Sequence, residues 1–331
     1  MSIERPARPA VANYPTEDAH AEELQRAKEL FEKELASPQE EWEDQGEREG
    51  VQLWKKVDPE NPYAVPTVKG ETVVEGISSD AFLGGCLQLP GMRKLWDTRF
   101  VEGFQLARYS RTSYCFYTEM KGMGWLVYPR DIVGIQKNYG GETENGERMI
   151  VQTSVDEPEL APAQKGKTRA TLQVSGWKLS PEGNNLRVTY VVNIALNGSI
   201  PSAMVSMLAT ETPLCTGRSR DVFYEHGYAP FIRLSASSDE PSIIFQTETF
   251  SDPPATPDEA HPREYRCVIT TGSKATESFE IEYDKKRMYS KGISIAIEGE
   301  GVEAQDNSEG RVKVTTTDTG KDVTIVITPK E

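Results

Sequence analysis

The stretch from residue 114 to 136 constrains the fold more than any other part of the chain. Residues 114–120 and 132–136 mix aromatic and β-branched side chains in alternation, the pattern of a pleated, half-buried strand. Between them, Met123, Trp125, Leu126 and Val127 put large apolar groups on a connection loosened by Gly122 and Gly124, where contact with water is unfavourable. Two strands joined by so apolar a loop require a dry surface to receive it.

Similar alternation recurs at 50–57, 66–74, 100–108, 148–154, 168–178 and 185–193, and from residue 100 to 193 no helical period intervenes. Consecutive strands of this length form a strongly bent antiparallel sheet, whose concave face must be covered. The cover is the segment 200–226, where Ala203, Met204, Met207 and Leu208 recur at helical spacing. Ser199 suits its cap, Pro201 its first turn, and Pro213 breaks it.

Elsewhere the reading is simpler. Leu24, Ala27, Phe31 and Leu35 make 19–36 an amphipathic helix capped by Thr16 or Asp18, and the charged run 39–49 reads as a solvated helix face or loop. Ser78-Ser79-Asp80 caps a short helix with Phe82, Leu83, Cys86 and Leu87 inward, and Met92–Trp96 forms a second. Beyond a linker at 237–241, six short alternating segments separated by glycine turns predict a small β-sandwich-like module with a structural or protein-partner role.

The chain has 331 residues, and 37 basic against 52 acidic side chains leave a net charge of −15. That balance opposes nucleic-acid binding and permanent attachment to an anionic membrane, while leaving brief contact through an apolar loop open. No apolar run approaches a membrane span and the first residues lack a signal core, so the expected location is the cytoplasm. Cys86, Cys115, Cys215 and Cys267 have no paired spacing, and His20, His226 and His261 stand beside no Ser or Cys nucleophile. The expectation is a non-enzyme without metal or cofactor.

The run Trp125-Leu-Val-Tyr-Pro-Arg-Asp131, preceded by Arg93-Lys-Leu-Trp-Asp97 and followed by Tyr190-Val-Val-Asn193 and Ile200-Pro201, resembles the StAR-related lipid-transfer (START) domain over roughly residues 18–228. The resemblance implies an α+β helix-grip fold, a curved antiparallel sheet wrapped on a long C-terminal helix, in a domain at 18–236. The Pro- and Ala-rich composition ahead of it makes residues 1–17 a disordered N-terminal segment, and 237–331 is the extra β-rich module. The resemblance also implies one lipid held in an internal cavity and exchanged between membranes without covalent chemistry. Sterol, phospholipid, ceramide-like lipid and fatty acid all remain open, and the alternative is a lipid-responsive sensor that does not transfer.

On the same resemblance, Tyr117, Glu119, Arg130, Gln136, Asn193, Met204, Met207 and Leu208 contact the ligand, and Met123, Trp125, Leu126 and Val127 form the membrane gate. Sterol carriers of the family resemble one another in a buried acid–arginine pair. Here Gln136 stands in the arginine's place, Tyr117 where the acid is expected, and Glu119 two residues on. Trp125 is similar in position to an exposed membrane-entering Trp of ceramide carriers. Arg130 and Asp131 read first as a structural ion pair.

Overall fold

The structure is a computed structural model that describes residues 14, 19–122, 127–140, 146–198, 200–233, 242–254, 256 and 259–330. Its helices are α1 (Ala21–Ala36), α2 (Ser79–Ala81), which continues as a π-helical turn over Phe82–Leu87, α3 (Pro90–Trp96), α4 (Ser202–Glu211) and α5 (Cys215–His226). The chain folds as two compact units: residues 19–77 with Asp97–Arg220, and Ser78–Trp96 with Asp221 onward. The second unit therefore includes residues that the sequence places well before its linker.

The first unit is built on one large sheet. Its strands are β1 (Glu43–Arg48), β2 (Val51–Lys56), β3 (Thr67–Glu75), β4 (Phe100–Arg108), β5 (Ser113–Met120), β6 (Arg130–Tyr139), β7 (Arg148–Ser154), β8 (Thr168–Arg169), β9 (Thr171–Glu182) and β10 (Asn185–Ala195). They are ordered β1-β2-β3-β10-β9-β7-β6-β5-β4, all antiparallel, and β8 adds a short parallel pairing to β6. Register shifts within β1·β2, β9·β10 and β4·β5 mark bulges, which increase twist and bend the sheet.

Each face of the sheet has its own helical cover. On one face α1 sets Ala27 and Phe31 against Val151, Val174 and Val191. Gly176 makes the hollow for Phe31, since a Cβ there would lie 2.3 Å from the ring, and burying that ring contributes about 2–3 kcal/mol. Lys69 lies over the rings of both Trp42, at 4.2 Å, and Trp54, at 4.6 Å, and burial lowers its pKa. Thr16 and Asp18 lie outside the described residues; the N-cap position is taken by His20, in the left-handed region at φ 62° and without a side-chain cap.

The other face receives α4 and the start of α5, and Pro213 separates the two helices as its missing N–H and ring sterics require. Leu214 packs on Val51 and Leu53. The junction touches the sheet where Gly70 has no side chain: a Cβ would sit 2.5 Å from the Pro213 carbonyl oxygen. Arg220 fastens α5 to the β1–β2 turn, donating to the Thr72 hydroxyl at 2.7 Å and to the carbonyls of Gly50 and Glu49 at 3.0 and 2.9 Å.

The charged run 39–49 departs from expectation. After a 3-10 turn at Gln39–Glu41 it forms β1, an exposed edge strand turned back onto β2 through Glu49 and Gly50, both at positive φ. Positive φ at two successive central residues suits a tight hairpin, and exposed charge on an edge strand opposes further pairing. A strand with no buried face leaves no alternating pattern to read.

The second unit holds two four-stranded antiparallel sheets, formed by β11 (Phe231–Ile232), β12 (Ile244–Phe250), β13 (Tyr265–Thr270), β14 (Ser278–Glu282), β15 (Ile293–Glu298), β16 (Val302–Asp306), β17 (Arg311–Thr316) and β18 (Asp322–Pro329). Their orders are β11-β14-β17-β16 and β12-β13-β18-β15, and Phe245 of one meets Phe279 of the other edge to face at 5.0 Å. The Ser78 hydroxyl caps α2 by accepting from the Ala81 N–H, and the buried Trp96 indole donates to the Cys86 carbonyl at 2.9 Å. Gly84 and Gly91 allow Phe231 and the Phe250 carbonyl to come within 2.5 and 2.3 Å of where a Cβ would be.

Gly70→Ala tests the helix–sheet approach. Overpacking against backbone costs about 1–3 kcal/mol, so thermal unfolding should shift down by several degrees. An unchanged melting temperature contradicts the close approach of Pro213.

Candidate ligand-binding site

Because successive strand residues point to opposite faces, the register fixes which side chains share the α4 face. Phe116 of β5, Ile132 of β6, Leu172 of β9 and Val192 of β10 form an apolar patch with Val68 and Ala170, and Ala209 of α4 packs against it. Deeper along the strands the same face turns polar. Gln136, Gln152 and Ser175 stand directly opposite one another across β6, β7 and β9.

These side chains form one hydrogen-bonded chain across four strands. The Gln136 amide donates to Asn138 Oδ1 at 3.1 Å and accepts from the Gln152 amide at 2.6 Å. Gln152 Oε1 accepts from the Ser175 hydroxyl at 3.1 Å. The Ser175 hydroxyl also lies 3.4 Å from the Tyr190 hydroxyl. Tyr190 is held by stacking on Trp177, centroids 4.2 Å apart.

The face is incompletely filled. Gln136 and Ser175 are buried, whereas Tyr114, Gln152, Tyr190 and Ile194 stay half-exposed. Leu208 is the one fully buried residue of α4 among the described residues, Met204 is half-buried, and Met207 is 44% exposed. The expected stripe through Ala203 and Met207 is therefore rotated: positions 204, 205, 208 and 209 face inward.

Other expected contacts lie elsewhere. Gln136 faces Tyr114, not Tyr117, because Tyr117 pairs with Val133 and points to the opposite face among Phe104, Leu106 and Cys115. The alternation along β5 sets this, and an odd offset reverses the face. On that opposite face Lys167 donates to the Tyr117 hydroxyl at 3.0 Å and pairs with Glu119. Burial raises the Tyr117 pKa against the pull of Lys167. Asn193 precedes the β9·β10 bulge, shares the face of Val191, and donates to the Thr67 hydroxyl at 2.7 Å.

Arg130 and Asp131 do not pair with each other. Buried Arg130 donates to the carbonyls of Tyr128, Leu196 and Asn197 at 2.5, 3.3 and 3.1 Å, tying the exit of the β5–β6 loop to the β10–α4 connection. Asp131 forms a two-pronged pair with Arg169 at 2.9 and 3.0 Å.

Of the expected gate, Met123, Trp125 and Leu126 lie outside the described residues. Val127 is only 2% exposed. The stem of the loop is narrow: a Cβ on Gly122 would lie 2.5 Å from the Val127 carbonyl oxygen. The connections at 57–66, 121–129, 155–167 and 196–201 all leave the sheet at one end, as the pairings of Lys56 with Thr67, Met120 with Arg130, Gly134 with Ser154 and Val192 with Val68 require. That end exposes large apolar side chains, Tyr63 at 90% and Tyr128 at 66%, together with Val57 on the 57–66 connection and Leu160 on the 155–167 connection.

Burial pushes the Cys115 thiol up to about 12 and that of Cys86 well above its ordinary value, so both stay protonated near neutrality. Among the described residues no cluster of His, Cys, Asp and Glu suits a metal ion. No helix among them is long and apolar enough to cross a membrane.

Arg130→Met tests the loop anchor. Removing a buried guanidinium that satisfies three carbonyls should cost about 2–4 kcal/mol, read by denaturant unfolding. Stability within about 0.5 kcal/mol of the parent contradicts a structural role for Arg130.

Comparison with known proteins bears on the whole first unit. A family profile described as the START domain matches residues 22–226. Human StAR-related lipid transfer protein 5 has a similar structure, with a TM-score of 0.53 and 20% identity over 62% of this chain and 100% of that one. Human STARD10 gives 0.51 and 18% over 63% of this chain and 82% of that one. At these identities the likeness is one of fold. An uncharacterized protein of Pseudomonas aeruginosa is 30% identical over 95 residues, 28% of this chain and 45% of that relative, so the match spans less than half of the relative's length. The curved sheet, its helical cover and a match over most of the first 226 residues agree: the chain belongs to the START domain family.

Proposed function

We propose that the segment 18–236 takes up a single lipid on the α4 face of the sheet and passes it between membranes without covalent chemistry. Membership of the START family supports lipid binding and transfer in general. The observation that carries the reading for this chain is the incompletely filled face, where an apolar patch leads to a polar row under a helix that buries only Leu208 completely.

Transfer requires that leaving the bilayer cost little. Each buried CH₂ is worth about 0.8 kcal/mol, so a lipid leaves the bilayer only for a site that is comparably dry. A dry site must open to load, and the 122–128 loop and the 200–226 segment are the natural gate. Trp125 suits the interfacial end of that motion, because its ring is apolar while its N–H seeks a polar partner. Tyr63 and Tyr128, exposed at the same end of the sheet, extend the contact.

The acids Asp58, Glu60, Glu157 and Glu159 in these loops oppose lasting adhesion to anionic bilayers. Contact is therefore brief, as exchange requires.

Trp125→Ala should slow transfer of a fluorescent lipid between donor and acceptor vesicles by roughly threefold or more, with equilibrium lipid binding unchanged. Equal transfer rates in variant and parent contradict the gating role. A rate that falls only in proportion to lost binding assigns Trp125 to the ligand site instead.

A further inference from the structure

The polar row carries chemistry beyond lipid binding as such. An amide nitrogen has two hydrogens, and within the chain Gln136 and Gln152 each donate one, to Asn138 and to Gln136 respectively. Among the described residues neither amide donates its second N–H. A row that served packing alone would close on itself, whereas here Gln152 and Tyr190 also remain half-exposed. We infer that the row receives the uncharged polar end of a lipid, a hydroxyl or carbonyl oxygen, and discriminates against phosphate, sulfate and carboxylate head groups; this rests on the lipid-binding reading above.

Charge decides the class. A buried anion needs a cation beside it, because neutral amides do not offset its desolvation. The arginines on this face are turned to main-chain carbonyls. Arg130 holds Tyr128, Leu196 and Asn197, Arg108, opposite Tyr114, holds Ser110 and Arg111, and Arg148, at the far end of β7, holds Gly140 and Glu147. Lys167 and Arg169 are engaged with Glu119 and Asp131, residues whose positions on β5 and β6 alternate with those of the row. A neutral oxygen acceptor needs none of these cations.

The patch also sets orientation. Ile132 and Leu172 lie between the row and the loop end of the sheet, and Val192 stands level with Ser175. At about 3.3 Å per residue the distance from Gln136 to the start of β6 is about 20 Å, room for a sterol ring system or the first part of an acyl chain. The lipid therefore enters polar end first, with its apolar body toward the loops.

The test uses three pairs that share a tail and differ in head charge: cholesterol and cholesteryl sulfate, dioleoylglycerol and dioleoylphosphatidic acid, ceramide and ceramide phosphate. Full-length protein stripped of lipid is incubated with phosphatidylcholine vesicles containing one pair, re-isolated, and its bound lipid quantified by mass spectrometry. The expected result is a preference of about tenfold or more for the uncharged member of at least one pair, falling below about threefold in both Gln136→Met and Gln152→Met, near-isosteric changes checked for folding by thermal melting.

Three results overturn the inference while leaving lipid binding intact. They are equal or reversed uptake within every pair that binds, recovery of phosphatidylcholine in place of the uncharged lipid, and a preference that survives both substitutions. Failure to take up any of the lipids overturns the lipid-binding reading itself.

Discussion

A broad curved sheet has two faces, and the first unit depends on how differently they are covered. On one face, α1 drives Phe31 into the hollow over Gly176 and fills the surface with side chains. On the other, α4 packs Ala209 on the apolar patch, the α4–α5 junction is seated at Gly70 by the Pro213 backbone, and α5 is fastened by Arg220. On the α4 side Tyr114, Gln152, Tyr190 and Ile194 stay half-exposed. The open side is where apolar patch and amide row meet.

That asymmetry also organises the charges. Arg130, Asp131 and Glu119 surround the start of β6, yet each is matched by carbonyls or by a partner of opposite sign. Their role is to hold the loop exits in place. The row on the α4 face offers neutral hydrogen bonding, in a region where an unmatched charge is costly and a matched hydroxyl or carbonyl is not.

Much of this was legible in the chain. Alternation located most strands of the large sheet to within a few residues, the 19–36 periodicity found α1, and Pro213 marked the break between α4 and α5. Gln136 stands out in the sequence and lies on the α4 face, but facing depends on register, and Tyr114 rather than Tyr117 lies opposite it. Gln152 and Ser175 give no sequence signal, and Tyr190 enters only as the first residue of the 190–193 motif, because their significance comes from juxtaposition across strands far apart in sequence. A search for polar residues recurring on the apolar phase of successive strands would have found Gln136, Gln152 and Ser175 together. The β9·β10 bulge, which interrupts the facing order after Asn193, leaves no such trace.

The most direct measurement is the mass of the intact protein under non-denaturing conditions, before and after incubation with lipid vesicles. The account predicts a one-to-one complex heavier than the 36.9 kDa chain by the mass of one lipid, lost when the protein is denatured. The bare chain alone in both spectra, from protein shown to be folded, contradicts it.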